Sequence, residues 1–501
     1  MTAAALIAIG VVAAVIARLV VNRIRRPLDQ TVQQASSLVN GIFVTTPESN
    51  VPELQGLTRA MNSMVARLKQ MFAAQADQVE ALRREAHSDA LTGLANRSHF
   101  IGQLSAQLYR EDDPSDSGLL LLRVIDLAGI NRGLGHATTD RMIDAVAQVL
   151  ASYTARVEGC HAGRLNGADF ALCLPVGGLA FETAEAIAEA LKATLPAFGP
   201  GIAIAIGAVE IHCDRDVTRV LAAADMALAR AESMGPFTVE RETLERAMPD
   251  VRADAVPAMG EAAWRESIKD ALMRGRVKLA GFPLLDVKSQ LLHLECPLRL
   301  QLAASGAHET AARWLPLALR GRLTAEVDER AVELALAAIA DDGQPRCVNL
   351  SHASLVDSAF GARLRSLLRE APVAAGRLWL DVPESAAAEQ FAQVQELARQ
   401  LRPLGARIGL EHAGERLARI DRLFEGGIDY VKLAGATVRG VSVDEARAAY
   451  VKSLSAMLHG LSMTVYAEGV VDAEDAAALW TLGIDGMTGP WASALRSDLV
   501  S

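Results

Sequence analysis

The chain has 501 residues, of which 51% are hydrophobic, 4% aromatic and 22% charged, and its formal net charge is −10. At about 100–200 residues per domain this length predicts three or four units, and the composition excludes both a disordered chain and a polytopic membrane protein. The acidic balance lacks the basic footprint of a nucleic-acid binder, and five scattered cysteines without a CxxC spacing point to neither a disulfide framework nor a zinc site.

The first element is apolar. Met1 to Ala17 carries no charged side chain, and Leu19, Val20 and Val21 follow Arg18. About twenty apolar residues span a bilayer as a helix, and Arg18 reaches the headgroups by extending its stem. Residues 1–21 are therefore predicted to form a transmembrane helix. Arg23, Arg25 and Arg26 follow at once, so the excess of positive charge places the remainder in the cytoplasm as a single-pass protein. A cleaved signal peptide would carry its basic residues before the apolar run.

Leu28, Val32, Ala35 and Val39 then recur at helical spacing behind Pro27, and residues 41–52 form a polar connector. Leu54, Leu57, Met61, Met64 and Leu68 follow in steps of three and four, a heptad seam. The seam continues through Phe72, Gln75, Val79, Leu82 and Ala86, with a stutter at the join. Two helices with a connector, directly after a membrane helix, resemble a HAMP module (22–72) followed by a signalling helix (73–88). The resemblance implies a homodimer through these helices. The plainer alternative is an amphipathic helix pair.

Residues 89–235 open with Asp89-Ala-Leu-Thr-Gly-Leu-Ala-Asn-Arg97. Strands are predicted at 118–125 and 201–209 and helices at 138–152 and 220–232. Asn166-Gly167 between apolar flanks is a strong hairpin signal. An α+β domain presenting residues at a hairpin turn follows. The opening motif resembles the start of the GGDEF (diguanylate cyclase) domain. That family uses carboxylates to hold metal ions on a triphosphate. On this resemblance its first metal Asp falls at Val124 and Asp126 keeps the second. Asn131 and Asp140 match retained positions. The signature becomes Asn166, Gly167, Ala168, Asp169 and Phe170, and a phosphate-binding lysine becomes Glu232. The domain is expected to be degenerate and not a diguanylate cyclase. GTP binding through Asn131 and Asp140 stays open.

After a linker (236–259), residues 260–501 show six short apolar runs that end on or carry polar residues: Glu295, Asn349, Asp381, Glu411, Lys432 and Glu468. Polar residues at the carboxyl ends of successive strands are how a (β/α)8 barrel builds its site. Their order resembles the EAL family of cyclic di-GMP phosphodiesterases and receptors. The motifs are Glu295-Cys-Pro-Leu-Arg299, Asn349-Leu-Ser351, Asp381-Val-Pro-Glu384, Glu411-His-Ala-Gly414, Lys432-Leu-Ala434 and Ala467-Glu-Gly-Val-Val471. The resemblance implies ligand contacts at Glu295, Arg299, Asn349, Lys432 and Glu468. It also implies one residual metal site at Glu295, Asn349, Asp381 and Glu411. Lys432 and Glu468 would be catalytic if the domain were active. Two acids have changed length, and His412, Ala434 and Thr488 replace an Asp, an Asp and a Gln of the family pattern. Hydrolysis is expected to be crippled, since misalignment of about 1 Å costs about 100-fold.

The whole order resembles LapD-type receptors, degenerate GGDEF–EAL proteins of the bacterial inner (cytoplasmic) membrane, in which ligand binding releases autoinhibition. The expectation is a cyclic di-GMP receptor in biofilm or adhesion control, with no cofactor needed for binding. The alternatives are a weak Mg²⁺- or Mn²⁺-dependent phosphodiesterase, and a ligand-free scaffold for another GGDEF/EAL protein. The resemblance is incomplete, because that family carries a second membrane helix and a periplasmic domain upstream.

Overall fold

The computed structural model describes residues 18, 25, 28–38, 43–48, 51–108, 116–157, 159–211, 216–244, 261–303, 306–417, 423 and 426–500. Among them no helix is long and apolar enough to cross a membrane; the membrane segment expected at 1–21 lies, apart from Arg18, outside the described residues.

A helix over 28–38 and an irregular stretch over 43–48 precede a single helix of 36 residues, Pro52–His87. The seam expected to continue through residue 72 is thus carried by one continuous rod. Its N-terminal part is tied to the preceding segment by side chains: Gln34 Nε2 donates to Asn62 Oδ1 at 3.0 Å, Asn62 Nδ2 donates to the Thr46 carbonyl at 2.8 Å, and Phe43 stacks on Phe72 at 5.4 Å. The inward row runs Thr58, Met61, Val65, Leu68, Phe72, Gln75, Val79, Leu82, Ala86, with Thr58, Val65, Val79 and Ala86 buried. These steps alternate three and four without interruption, so the stutter expected from the sequence is absent. Leu57, Met64 and Met71, two of them assigned to the seam from the sequence, instead form a second row, 45%, 54% and 63% exposed. The heptad row packs against the chain's own second domain, on the helix Glu445–Gly460.

The first domain is a six-stranded sheet in the order β1-β3-β4-β2-β5-β6: β1 (Ala95–Asn96), β2 (Ser117–Val124), β3 (His161–Arg164), β4 (Asp169–Leu174), β5 (Ile204–Ile211) and β6 (Thr238–Leu244). β2 is central because it is apolar on both faces. Leu120, Leu122 and Val124 face the helices His136–Thr154 and Ala180–Thr194, while Leu119 and Leu121 face Arg97–Leu108 and Val217–Met234. The Asn-Gly hairpin forms as expected between β3 and β4. β6 pairs in parallel with β5, so the first domain continues to Leu244 and takes in part of the expected linker.

The second domain begins with the helix Glu261–Met273. β7 (Val277–Leu279) and β10 (Leu298–Leu300) form a two-stranded antiparallel pair, and eight strands close a barrel. In chain order these are β8 (Phe282–Leu285), β9 (Leu291–Glu295), β11 (Arg346–Asn349), β12 (Leu378–Pro383), β13 (Arg407–Ala413), β14 (Tyr430–Leu433), β15 (Thr464–Ala467) and β16 (Gly486–Met487). The barrel departs from the all-parallel expectation at one strand: β8 runs antiparallel to both neighbours, β9 and β16.

The inner barrel is aromatic. Trp379, Tyr430, Tyr466 and His293 cluster with ring centroids 4.4–6.4 Å apart. Gly409 on β13 makes the room, since a Cβ there would fall within the Tyr430 ring.

Candidate functional site

The six polar residues singled out from the sequence all lie at one end of the barrel. Glu295 ends β9 and Asn349 ends β11, Asp381 pairs in register with Asn349, and Glu468 follows β15 directly. Register brings them into two groups, one inside the barrel and one at its mouth.

The inner group is organised by Lys432, which is fully buried. Its Nζ donates to Glu295 Oε1 and, at 2.5 Å, to Asp381 Oδ2. Two further groups reach the same carboxylates: His293 Nε2 lies 2.7 Å from Glu295 Oε1, and the Tyr430 hydroxyl donates to Asp381 Oδ1 at 2.7 Å. Burial disfavours a charged lysine, but the two carboxylates outweigh it and hold the ammonium group well above its usual range. Burial likewise opposes ionisation of Glu295, yet Lys432 and His293 hold it at about 2. Asp381, buried beside Glu295 and Glu411, is pushed up to about 6 despite Lys432. Tyr430 and His293 were not expected from the sequence. Alternation along β14 and β9 was the available signal, since Tyr430 lies two residues before Lys432 and His293 two before Glu295.

The outer group is Glu411, His412 and Glu468. Asn349 Nδ2 donates to Glu411 Oε2 at 2.5 Å. The backbone N–H of His412 donates to Glu468 Oε2 at 3.2 Å, and its Nδ1 lies 3.5 Å from Glu411 and 3.7 Å from Glu468. A register shift in β13 between Leu410 and Ala413 turns the strand here, and His412 has a φ of 53°, uncommon for a non-glycine residue. Burial first, then the neighbouring Glu411, pushes Glu468 up to about 8. The ligand atoms of Glu411, His412 and Glu468 lie within 4.8 Å of one another, a donor set suited to one divalent ion. The four-residue metal set expected from the sequence is instead divided: Glu295 and Asp381 are joined through Lys432, and Asn349 with Glu411 belongs to the mouth. Arg299 lies on β10, paired with β7 rather than in the barrel wall.

Beyond β13 the loop is pinned from below. The buried Glu384 carboxylate accepts the backbone N–H groups of Gly414, Glu415 and Arg416 at 2.9–3.3 Å. The first domain contacts this same loop: Gln103 Nε2 donates to Glu415 Oε1 at 3.1 Å, and His99 Nε2 lies 3.6 Å from it. Nearby, Arg447 is buried and donates to the carbonyls of Ala436 and Arg439 and to Ser98 Oγ. His87, at the end of the long helix, stacks on His99 at 4.1 Å and meets Tyr450 edge-on at 5.0 Å.

In the first domain, Asp126 is exposed and caps the helix Leu127–Leu134 through the Gly129 N–H. Val124 is buried on the far face of the sheet. The β2 residue that faces Asp169 is therefore Arg123, in register with it, which corrects the alignment at Val124. Asn166 Oδ1 accepts from the backbone N–H groups of Ala168 and Asp169 and so builds its own turn around Gly167. Phe170 is buried. Asn131 and Asp140 sit on successive helices, Leu127–Leu134 and His136–Thr154.

Both halves of the chain match known domains. Residues 86–236 match the family model described as "Diguanylate cyclase, GGDEF domain", and residues 265–494 match that of the EAL domain. The chain is 24% identical over 419 residues to the RNase E specificity factor CsrD of Escherichia coli, covering 81% of this chain and 63% of that protein. It is 25% identical over 428 residues to the cyclic di-GMP phosphodiesterase PdeB of Shewanella oneidensis, covering 81% and 47%. It thus spans between about half and two thirds of these relatives' lengths. The solved S helix–GGDEF–EAL structure of Vibrio cholerae LapD without ligand has the same fold, with a TM-score of 0.72 at 18% identity over 84% of this chain and 100% of that one.

Proposed function

We propose, from the premise that this chain carries a GGDEF domain followed by an EAL domain, that it is a cyclic di-GMP receptor whose EAL barrel binds without hydrolysing. The observation that carries this reading is Lys432. A protein cation already neutralises Glu295 and Asp381, so a dianionic ligand meets less negative charge than four free acids would present. Arg299, Asn349 and Glu468 complete the contacts, the guanidinium serving one phosphate. No cofactor is required for binding.

Outward from the site, the first domain rests on the loop that follows Glu411 and His412, which supports a docked state that ligand competes with. The membrane helix, the HAMP-like dimer over 22–72 and the inner-membrane location complete the proposal, with output in biofilm or adhesion control. Isothermal titration of the full chain in detergent with cyclic di-GMP and EDTA tests it. Micromolar or tighter binding supports the receptor, and absence of heat refutes it in favour of a ligand-free scaffold for other GGDEF/EAL proteins.

One observation favours a second reading. Glu411, His412 and Glu468 form a donor set for one metal, as a weak phosphodiesterase would need with Mg²⁺ or Mn²⁺. Chromatography of the dinucleotide after incubation with Mn²⁺ separates the two, because linear product identifies the enzyme.

A further inference from the structure

A nucleotidyl cyclase site needs acids to hold a divalent cation and bases to hold phosphate. The first domain places the opposite charges at that point. On β2 the residue facing Asp169 is Arg123, whose Nε and Nη2 donate to the two Asp169 oxygens at 2.6 and 2.9 Å. Asn166 Nδ2 donates to Asp169 Oδ2 at 2.6 Å. From the helix Val217–Met234, Glu232 meets Arg123 Nη1 at 3.3 and 3.4 Å. Val124 faces away and Asp126 is spent as a helix cap. Asp169, which stands at the signature's metal-binding position, has both oxygens bonded to donors and is buried, and Glu232 is engaged by Arg123. These residues do not fit a divalent ion.

The two charge reversals compensate one another. A guanidinium beside Asp169 alone would leave the helix lysine of the family pattern facing like charge. A glutamate there alone would face Asp169. Together they make an Asp169–Arg123–Glu232 bridge, with the bidentate fork that carboxylates bind best. Burial opposes ionisation of Asp169, but Arg123 and Asn166 lower its pKa overall. A pocket of ≈ 310 Å³ lies beside the bridge, lined by Arg97, Leu165, Leu221 and Asp225 among others.

We infer that Arg123 is a fixed internal cation standing where this domain type would hold a metal ion, clamping the hairpin turn at Asn166–Asp169 to the helix Val217–Met234. The inference rests on the reading of the first domain as catalytically silent. It adds that the silence is built in by a charge swap, which excludes a divalent ion from this site and keeps the turn rigid.

The test uses the full chain, with Mn²⁺ as probe and cyclic di-GMP binding as a separate control. In the parent protein the Mn²⁺ isotherm should be unchanged by Asp169→Asn. Arg123→Asp brings a third carboxylate beside Asp169 and Glu232. That variant should melt at a lower temperature than the parent and gain more from millimolar Mn²⁺ than the parent does, the parent's gain reporting on the barrel donor set alone. An Asp169-dependent Mn²⁺ site in the parent would overturn the inference, as would a variant that Mn²⁺ stabilises no more than the parent. Should Arg123→Asp not fold, Arg123→Gln carries the test by hydrogen exchange. Amides 166–169 should exchange at least tenfold faster, and unchanged exchange would refute the clamp. Binding of cyclic di-GMP reports on the barrel alone, so a failed receptor proposal and a failed Arg123 clamp give different results.

Discussion

Among single residues, Lys432 has the largest expected effect. Removing one partner from a buried ion pair strands the other charges, at a cost of about 3–5 kcal/mol. Lys432→Met leaves Glu295 and Asp381 without their shared donor, so we expect that loss in denaturant unfolding of the barrel, together with loss of dinucleotide binding. A barrel of parental stability would refute the assignment of Lys432 as counter-ion. Gly409→Ala tests the layer beneath. The new methyl group collides with Tyr430, and overpacking of this kind costs about 1–3 kcal/mol. If the barrel unfolds at the parental denaturant concentration, the Tyr430 ring is not held against β13. The acids and the lysine were legible in the sequence because each falls at a strand end. The aromatic floor was not read, although His293, Trp379, Tyr430 and Tyr466 each lie two residues before a polar site residue and so share its face, because an apolar run alone does not say which face meets the barrel axis.

Among elements, the junction of the long helix, the first domain and the barrel is expected to respond to pH. His87 is buried against His99, Tyr450 and Arg447, with Arg83, Glu80 and Glu415 close by. Neither His87 ring nitrogen has a hydrogen-bond partner among the described residues. Burial first, then the charges of His99, Arg447 and Arg83, lowers its pKa to about 2. Undocked, a histidine titrates near 6.5. The neutral ring therefore favours docking fully above that pH, and each unit below costs the docked state about 1.4 kcal/mol. Glu415, held at about 2 chiefly by the neighbouring His99, shifts the balance the same way at lower pH. Hydrogen exchange of the helices Arg97–Leu108 and Glu445–Gly460, corrected for intrinsic rates, should accelerate roughly tenfold between about pH 7.5 and 5.5. His87→Phe should flatten that response; a response of full size in the variant would remove His87 from the linkage. The helical period of this rod was readable from sequence, but its partner was not. A row of Val65, Phe72, Val79 and Ala86 fits a second copy's seam and a domain surface equally well, and only the tertiary fold chooses.

At the scale of the whole molecule, two rows on one helix divide the work. The heptad row is covered by the second domain and the helix 28–38 region, while Leu57, Met64 and Met71 face outward at a seven-residue spacing. The proposed homodimer would use that outer row in the docked state. Leu57→Glu with Met64→Glu should shift the full chain to monomer in analytical ultracentrifugation without lowering its melting temperature. A dimer unaffected by both changes would move the contact elsewhere. The order of the GGDEF domain before the EAL domain was legible, since each carries a distinctive motif. The antiparallel β8 and the extension of the first sheet to Leu244 were not, because short strands of mixed polarity such as Thr238–Leu244 carry little periodic signal.

The continuity of Pro52–His87 has a mechanical consequence. A rod lying lengthwise on its support is loaded in shear when pulled along its axis, so its contacts share the load and yield together instead of peeling one by one. The inward row sets a contact about every 5 Å along a helix rising about 1.5 Å per residue. A displacement of half that spacing along the axis would take every side chain out of its recess at once. The latch would thus respond to distance moved rather than to steady tension, and would stay shut through smaller displacements.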